Sequence, residues 1–164
     1  MKLPTLVLAL LLMLSACGSE DPGISTEEFA PNVGANETFN NIMIRNAFVI
    51  GGASGSPLPP GSNAPLYVTL ISHRAQPDKL VSVQAPAWFS TATIPGGSVE
   101  LPPGRLVGGG PKPQAVLQGL TKQLRSGSYI AVTFTFRDAG AIQKQLPVLP
   151  PSQWRATYSP TPGG

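Results

Sequence analysis

Histidine occurs once in this chain, at position 73, and cysteine once, at position 17; after His73 there is no His, Met or Cys at all. That scarcity removes whole classes of chemistry. A metal site would draw on His, Cys, Met or paired carboxylates, and a Ser/His/acid arrangement would rest on one residue at the end of a strand, just before the "RAQPD" turn. Charge is scarce too, at 12% of residues, and no apolar run reaches the ~18 residues that span a bilayer. The chain reads as a non-enzyme. What it has in quantity is turn-forming residues, 18 Gly and 19 Pro in 164 positions. Such a composition suits many short strands and leaves little room for helices. One all-β domain with tails is the expectation for this length.

The N-terminus carries the most specific local signal. Lys2 is a minimal positive region, and Leu3 to Leu14 is apolar apart from Pro4 and Thr5, too short to cross a membrane. It reads as a signal peptide over residues 1–16. Its end, Leu14-Ser15-Ala16-Cys17, resembles the bacterial lipobox, whose cysteine thiol takes a diacylglycerol before cleavage. Cys17 is therefore the expected lipidation site and first mature residue, carrying two or three acyl chains, enough for stable anchoring at the outer face of the cell membrane. With Cys17 consumed, neither a disulfide nor a thiol ligand remains, although such a compartment permits disulfides.

The acids and bases are segregated. Residues 18–41 hold Glu20, Asp21, Glu27, Glu28 and Glu37 without one Lys or Arg, whereas residues 42–149 hold nine Lys and Arg against Asp78, Glu100 and Asp138. The first stretch has few strong apolar residues and no periodicity, so residues 17–41 are expected to be a lipidated acidic tether. Residues 150–164, with four prolines and a Gly-Gly end, are expected to be a second disordered tail. Nucleic acid is not an expected partner of a protein outside the cytoplasm.

Within residues 42–149 the period of two is plain. In "YIAVTFTF", Ile130, Val132, Phe134 and Phe136 share one face; in "LYVTLIS", Leu66, Val68 and Leu70 do. "NIMIRNAFVI" reads as Ile42, Ile44, Phe48 and Ile50 on one face, interrupted only by Asn46. Further strands are expected at Leu80–Gln84, Ser90–Ile94, Ser98–Leu101, Ala115–Leu120 and Ala141–Val148, with turn signals between them. Seven or eight short strands argue for a β-sandwich. The glycine-rich "GGGPKPQAVLQGL", residues 108–120, is not a phosphate loop, because Lys112 is boxed between two prolines and a strand follows in place of a helix.

The order of the blocks "IMIRNAFV", "PLYVTLIS", "PDKLVSVQAP", "IPGGSVELPPG" and "VLQGLTKQLRSGSYIAVTFTFRDAGAIQKQLPV" resembles the PCuAC family of extracytoplasmic copper chaperones over nearly all of residues 42–149. The resemblance implies a cupredoxin-like Greek-key sandwich, of the lipoprotein type found in actinobacteria. In that family Cu(I) is held by a His and a Met about eleven residues apart on one hairpin and by a His-x-Met just before the "L-x-G-L" strand. Here the His-x-Met positions fall on Gln114 and Val116, and the hairpin is missing between Pro86 and Gly96. The resemblance thus implies the fold and the location without the copper ligands, and no cofactor is expected.

Two functions follow. The first is a non-catalytic binding or accessory protein that meets a protein partner through the open end of the sandwich, with Trp88 and Phe89 beside the 108–113 loop as candidate contacts, or else as plugs of that end. The second is a copper chaperone with an altered, weak Cu(I) site that uses His73 or Met43 and assists oxidase assembly. Met43 is expected opposite the Ile42/Ile44 core face, and nothing in the sequence brings it to His73.

Overall fold

Asn40 and Asn41 both adopt left-handed backbone conformations, with φ of 44° and 64°. They form the two-residue turn that matches the twist of a hairpin. In the computed structural model, which describes residues 33–158, this turn folds β1 (Ala35–Phe39) antiparallel onto β2 (Ile42–Ile50), pairing Phe39 with Ile42, Thr38 with Met43 and Glu37 with Ile44. The end of the expected tether is therefore a strand. Its acid is used: Glu37 Oε2 lies 2.9 Å from Lys144 Nζ, and Arg45 donates to the Glu37 carbonyl. Cys17 and the rest of the expected signal peptide and tether lie outside the described residues.

Eight further strands follow: β3 (Ala64–Ser72), β4 (Asp78–Gln84), β5 (Phe89–Thr93), β6 (Val99–Leu101), β7 (Leu106–Gly108), β8 (Ala115–Leu120), β9 (Tyr129–Phe136) and β10 (Gly140–Leu149). They run in the order β5-β8-β3-β2-β10-β9-β4-β6, with β1 added to β2 and β7 to β3. Most of β10 pairs antiparallel with β9, whereas Val148 and Leu149 pair parallel with Val49 and Ile50 of β2. By changing partners in this way β10 joins the two layers of a sandwich. Ile42, Ile44, Leu66, Leu70 and Leu117 face Leu80, Val132, Phe134 and Phe136 in one continuous core. Each such side chain, buried, stabilises by about 1.5–3 kcal/mol.

One face assignment differs from the sequence pattern. Ile42 and Ile44 are in the core, but beyond the bulge between Arg45 and Phe48 the core positions are Ala47 and Val49, while Phe48 and Ile50 turn to the opposite face. A single extra residue exchanges the faces of a strand. Asn46 makes the exchange with a φ of 48°, and β1 holds it there. Its Oδ1 accepts from the Gly34 N–H, and its own N–H donates to Asn36 Oδ1, each at 3.0 Å.

The outward Phe48 stacks on Tyr67 with ring centroids 5.3 Å apart. The chain after β10 covers both rings through the 3-10 turn Gln153–Thr157, which lays Trp154 against Phe48 at 5.8 Å and Tyr158 against Tyr67 at 4.7 Å. Arg155 ties the turn down by donating from Nε to the Pro150 carbonyl at 2.9 Å. The first part of the expected disordered tail is thus packed, because its two aromatic rings find an apolar face that the Asn46 bulge created. Residues 159–164 lie outside the described residues.

Asp78 fixes the opposite layer. Its buried carboxylate accepts from the backbone N–H groups of Lys79, Asp138 and Ala139 at 2.7–3.0 Å, and Arg74 Nε lies 3.5 Å away. The "PD" of the third block therefore pins the β9–β10 turn to the start of β4.

Candidate functional site

The glycine loop lies along the edge of β3. That edge is shared: β8 pairs with Ala64 to Leu66, and β7 pairs with Thr69 to Ile71. Val68 falls in the gap. Gln114 fills it, accepting the Val68 N–H on Oε1 at 2.8 Å, donating its own backbone N–H to the Leu66 carbonyl at 3.0 Å and its side-chain Nε2 to the Lys112 carbonyl at 2.8 Å. The amide side chain thus substitutes for a missing rung of the ladder. Gly108, at φ 84°, lies so close to β3 that a Cβ there would meet the Val68 carbonyl oxygen at 2.2 Å. Gly108 brings the loop against the strand, where a side chain would block it. Val116 is buried and pairs with Pro65 and Thr93. Both positions that the resemblance assigns to His-x-Met are thus built into the sheet.

At the open end, the connection between β4 and β5 is a tight turn in which the Trp88 and Phe89 N–H groups both donate to the Ala85 carbonyl at 2.9 Å. Phe89 is in the core, 2% exposed, and what surface it keeps lines the groove between β4 and β5. Trp88 packs on the core edge with the Lys122 ammonium 4.1 Å above its ring, a favourable arrangement for a cation on an indole face. Neither lies beside the 108–113 loop. Phe89 pairs with Leu120 and Thr93 with Val116, so the loop is at the other end of β8, about 20 Å away at 3.3 Å per residue. Between β4 and β5 lies a groove of about 260 Å³, lined by Ser82, Gln84, Pro86, Ser90 and Thr91 among others.

The structure does bring His73 and Met43 together. Met43 pairs with Ile71 across the β2–β3 ladder. His73, two residues past Ile71, returns to the same face and is the diagonal neighbour that long side chains reach. Its Nε2 lies 2.9 Å from Met43 Sδ, and its backbone N–H is held by the Asn41 carbonyl at 2.7 Å. The sequence could place Met43 on the outer face, but the register that makes the pair depends on a long connection, residues 51–63. Among the described residues no group of three or more His, Cys, Asp or Glu is gathered as a metal cluster.

The model of the LpqE-like family, described as one of lipoproteins, matches residues 42–148. The chain belongs to the LpqE-like family. Its fold is that of PCuAC domains. The apo PCuAC domain from PmoF1 superposes with a TM-score of 0.62 at 23% identity, over 71% of this chain and 100% of that one. The copper-bound PCuAC domain from PmoF2 gives 0.60 at 22%, over 71% and 99%, and its apo form 0.58 at 22%, over 73% and 98%. No curated protein matches the chain. At these identities the likeness is one of fold, and it bears out the cupredoxin-like sandwich expected of this LpqE-like chain.

Proposed function

We propose that this LpqE-like chain is a non-enzymatic binding protein, lipid-anchored through Cys17 at the outer face of the cell membrane, whose PCuAC-type domain has lost the copper ligands of the 108–116 loop. The observation that carries the loss is the side chain of Gln114, whose oxygen accepts the Val68 N–H of β3 while its nitrogen donates to the Lys112 carbonyl within the loop. A loop whose amide completes a buried strand cannot also offer that position to an ion without opening the sheet. The anchor is supported by the lipobox at Leu14–Cys17 and by a family of lipoproteins. Among the described residues no helix is long and apolar enough to cross a membrane. A protein partner would meet the open end at Trp88 and Lys122, beside the β4–β5 groove, and Phe89 supports that surface from beneath.

The experiment is fractionation of cells that express the Cys17→Ser chain. Release from the membrane fraction, or accumulation of the unprocessed precursor, is the expected result, because two or three acyl chains supply the binding. Undiminished membrane association of the processed variant would contradict the anchor.

A further inference from the structure

A thioether and an imidazole in contact are soft donors, of the kind that select Cu(I) over hard divalent ions. Met43 and His73 are such a pair; at about 3.3 Å per residue Met43, opposite Ile71, is about 10 Å along β3 from the Gln114 rung at Val68, and His73, just past the strand, about 16 Å. We infer that Met43 Sδ and His73 Nε2 form a Cu(I) site of their own, at a place on the sandwich other than the 108–116 loop. The neutral tautomer with its proton on Nδ1 leaves Nε2 bare to bind a metal, and the Asn41 carbonyl fixes the backbone from which the ring projects.

The surroundings fit a monovalent ion. Met43 is half-buried and sits between Thr38 of β1 and Ile71 of β3, its partners in the ladder, which limits the conformations of its thioether. The adjoining Arg74 has its charge met by Asp78 at 3.5 Å, and its guanidinium also donates to the Asn40 carbonyl at 3.3 Å. Among the described residues no group of three or more His, Cys, Asp or Glu is gathered here to hold a hard or tetrahedral ion. At metal–nitrogen and metal–sulfur distances of about 2.0 and 2.3 Å, a linear site would part the two donors to about 4.3 Å. The present 2.9 Å contact must therefore open, which the exposed imidazole allows by side-chain rotation. An ion held by two side chains at the surface keeps open positions toward solvent. It is bound weakly, and a partner's ligand can take it up.

The test uses the full chain with Cys17→Ser in detergent, because a free thiol would otherwise capture the ion. Met1 and Met13 are common to every variant and cancel in the comparison. Ag(I), a redox-inert stand-in for Cu(I), is titrated against a competing chelator for the parent, Met43→Leu and His73→Gln chains, with circular dichroism as the check on folding. One ion per chain in the parent, weakened at least tenfold by each substitution, is the expected result. The Met43 methyl and His73 ring signals should also shift on binding. No binding by the parent, or a loss of less than tenfold in either variant, overturns the site. In the second case the ion is held by one side chain alone or elsewhere.

Discussion

Replacing Gln114 by Ala removes a hydrogen-bond acceptor from a buried backbone donor. Val68 is 1% exposed, and its N–H has the Gln114 oxygen as its partner at 2.8 Å. The Lys112 carbonyl loses its bond from Nε2 as well, but Lys112 is exposed and water replaces that bond at little cost. A buried donor left unsatisfied costs about 1–3 kcal/mol. Gln114 is only half-buried, so water gains partial access to the vacated site and the lower half of that range applies, about 1–2 kcal/mol. For a domain of this size that is a drop in Tm of about 4–8 °C. Urea unfolding and thermal melts measure the loss, and amide exchange locates it: the Val68 N–H should be as protected as its neighbours in the parent and exchange at least tenfold faster in the variant. Stability unchanged within about 0.5 kcal/mol, with Val68 still protected, would falsify the assignment of Gln114 to the ladder. The same reasoning predicts that Gln114→His with Val116→Met destabilises the sandwich and does not rebuild a tight copper site.

Two further outcomes follow. The hydrogen bond from Lys144 and, next, that from the Thr38 N–H hold the Glu37 carboxyl below its ordinary 4.5. A depressed folded value means that its contribution is complete above 4.5 and is lost as pH falls through the folded value. The amides of β1 should therefore lose protection at acid pH ahead of β9, and Glu37→Gln should abolish that step; equal protection at all pH would refute it. Burial, with a smaller contribution from the nearby Tyr158, pushes the Tyr67 phenol up to about 12, so deleting residues 150–164 should return its spectrophotometric titration toward the ordinary 10. No change on deletion would mean that the aromatic cover is absent in solution.

How much of this was legible in the sequence depended on whether the deciding contact was local. The alternation in "YIAVTFTF" is a property of neighbouring residues, and β9 buries all four of the expected side chains. β8 begins and ends where its apolar run does. Phe48 turns to the outer face because the face exchange at Asn46 depends on hydrogen bonds from the Gly34 N–H and to Asn36 Oδ1 across the β1 hairpin. That hairpin was itself hidden: the Asn40-Asn41 turn signal lay in a segment whose acidity argued for a tether. Trp154 and Tyr158 likewise sat among prolines, and composition gave no hint of the ring pair they cover. β7 has three residues, too few for a pattern.

The site divides in the same way. The residue types at positions 114 and 116, a Gln and a Val where the resemblance expects His and Met, were legible in the sequence. That the Gln114 amide reaches Val68 depends on a gap between β7 and β8 that only tertiary structure reveals. His73 and Met43 were visible singly as soft donors, and their meeting is a consequence of strand register.

The central claim, that the 108–116 loop has become part of the sheet while the soft donors lie elsewhere, is tested most directly by a Cu(I) titration of the Cys17→Ser chain under reducing conditions, followed residue by residue by NMR. Shifts confined to Met43, His73 and their ladder neighbours, with the Gln114 side-chain amide and the Val68 N–H unmoved, are the predicted result. Perturbation centred on Gly108 to Val116 would contradict it.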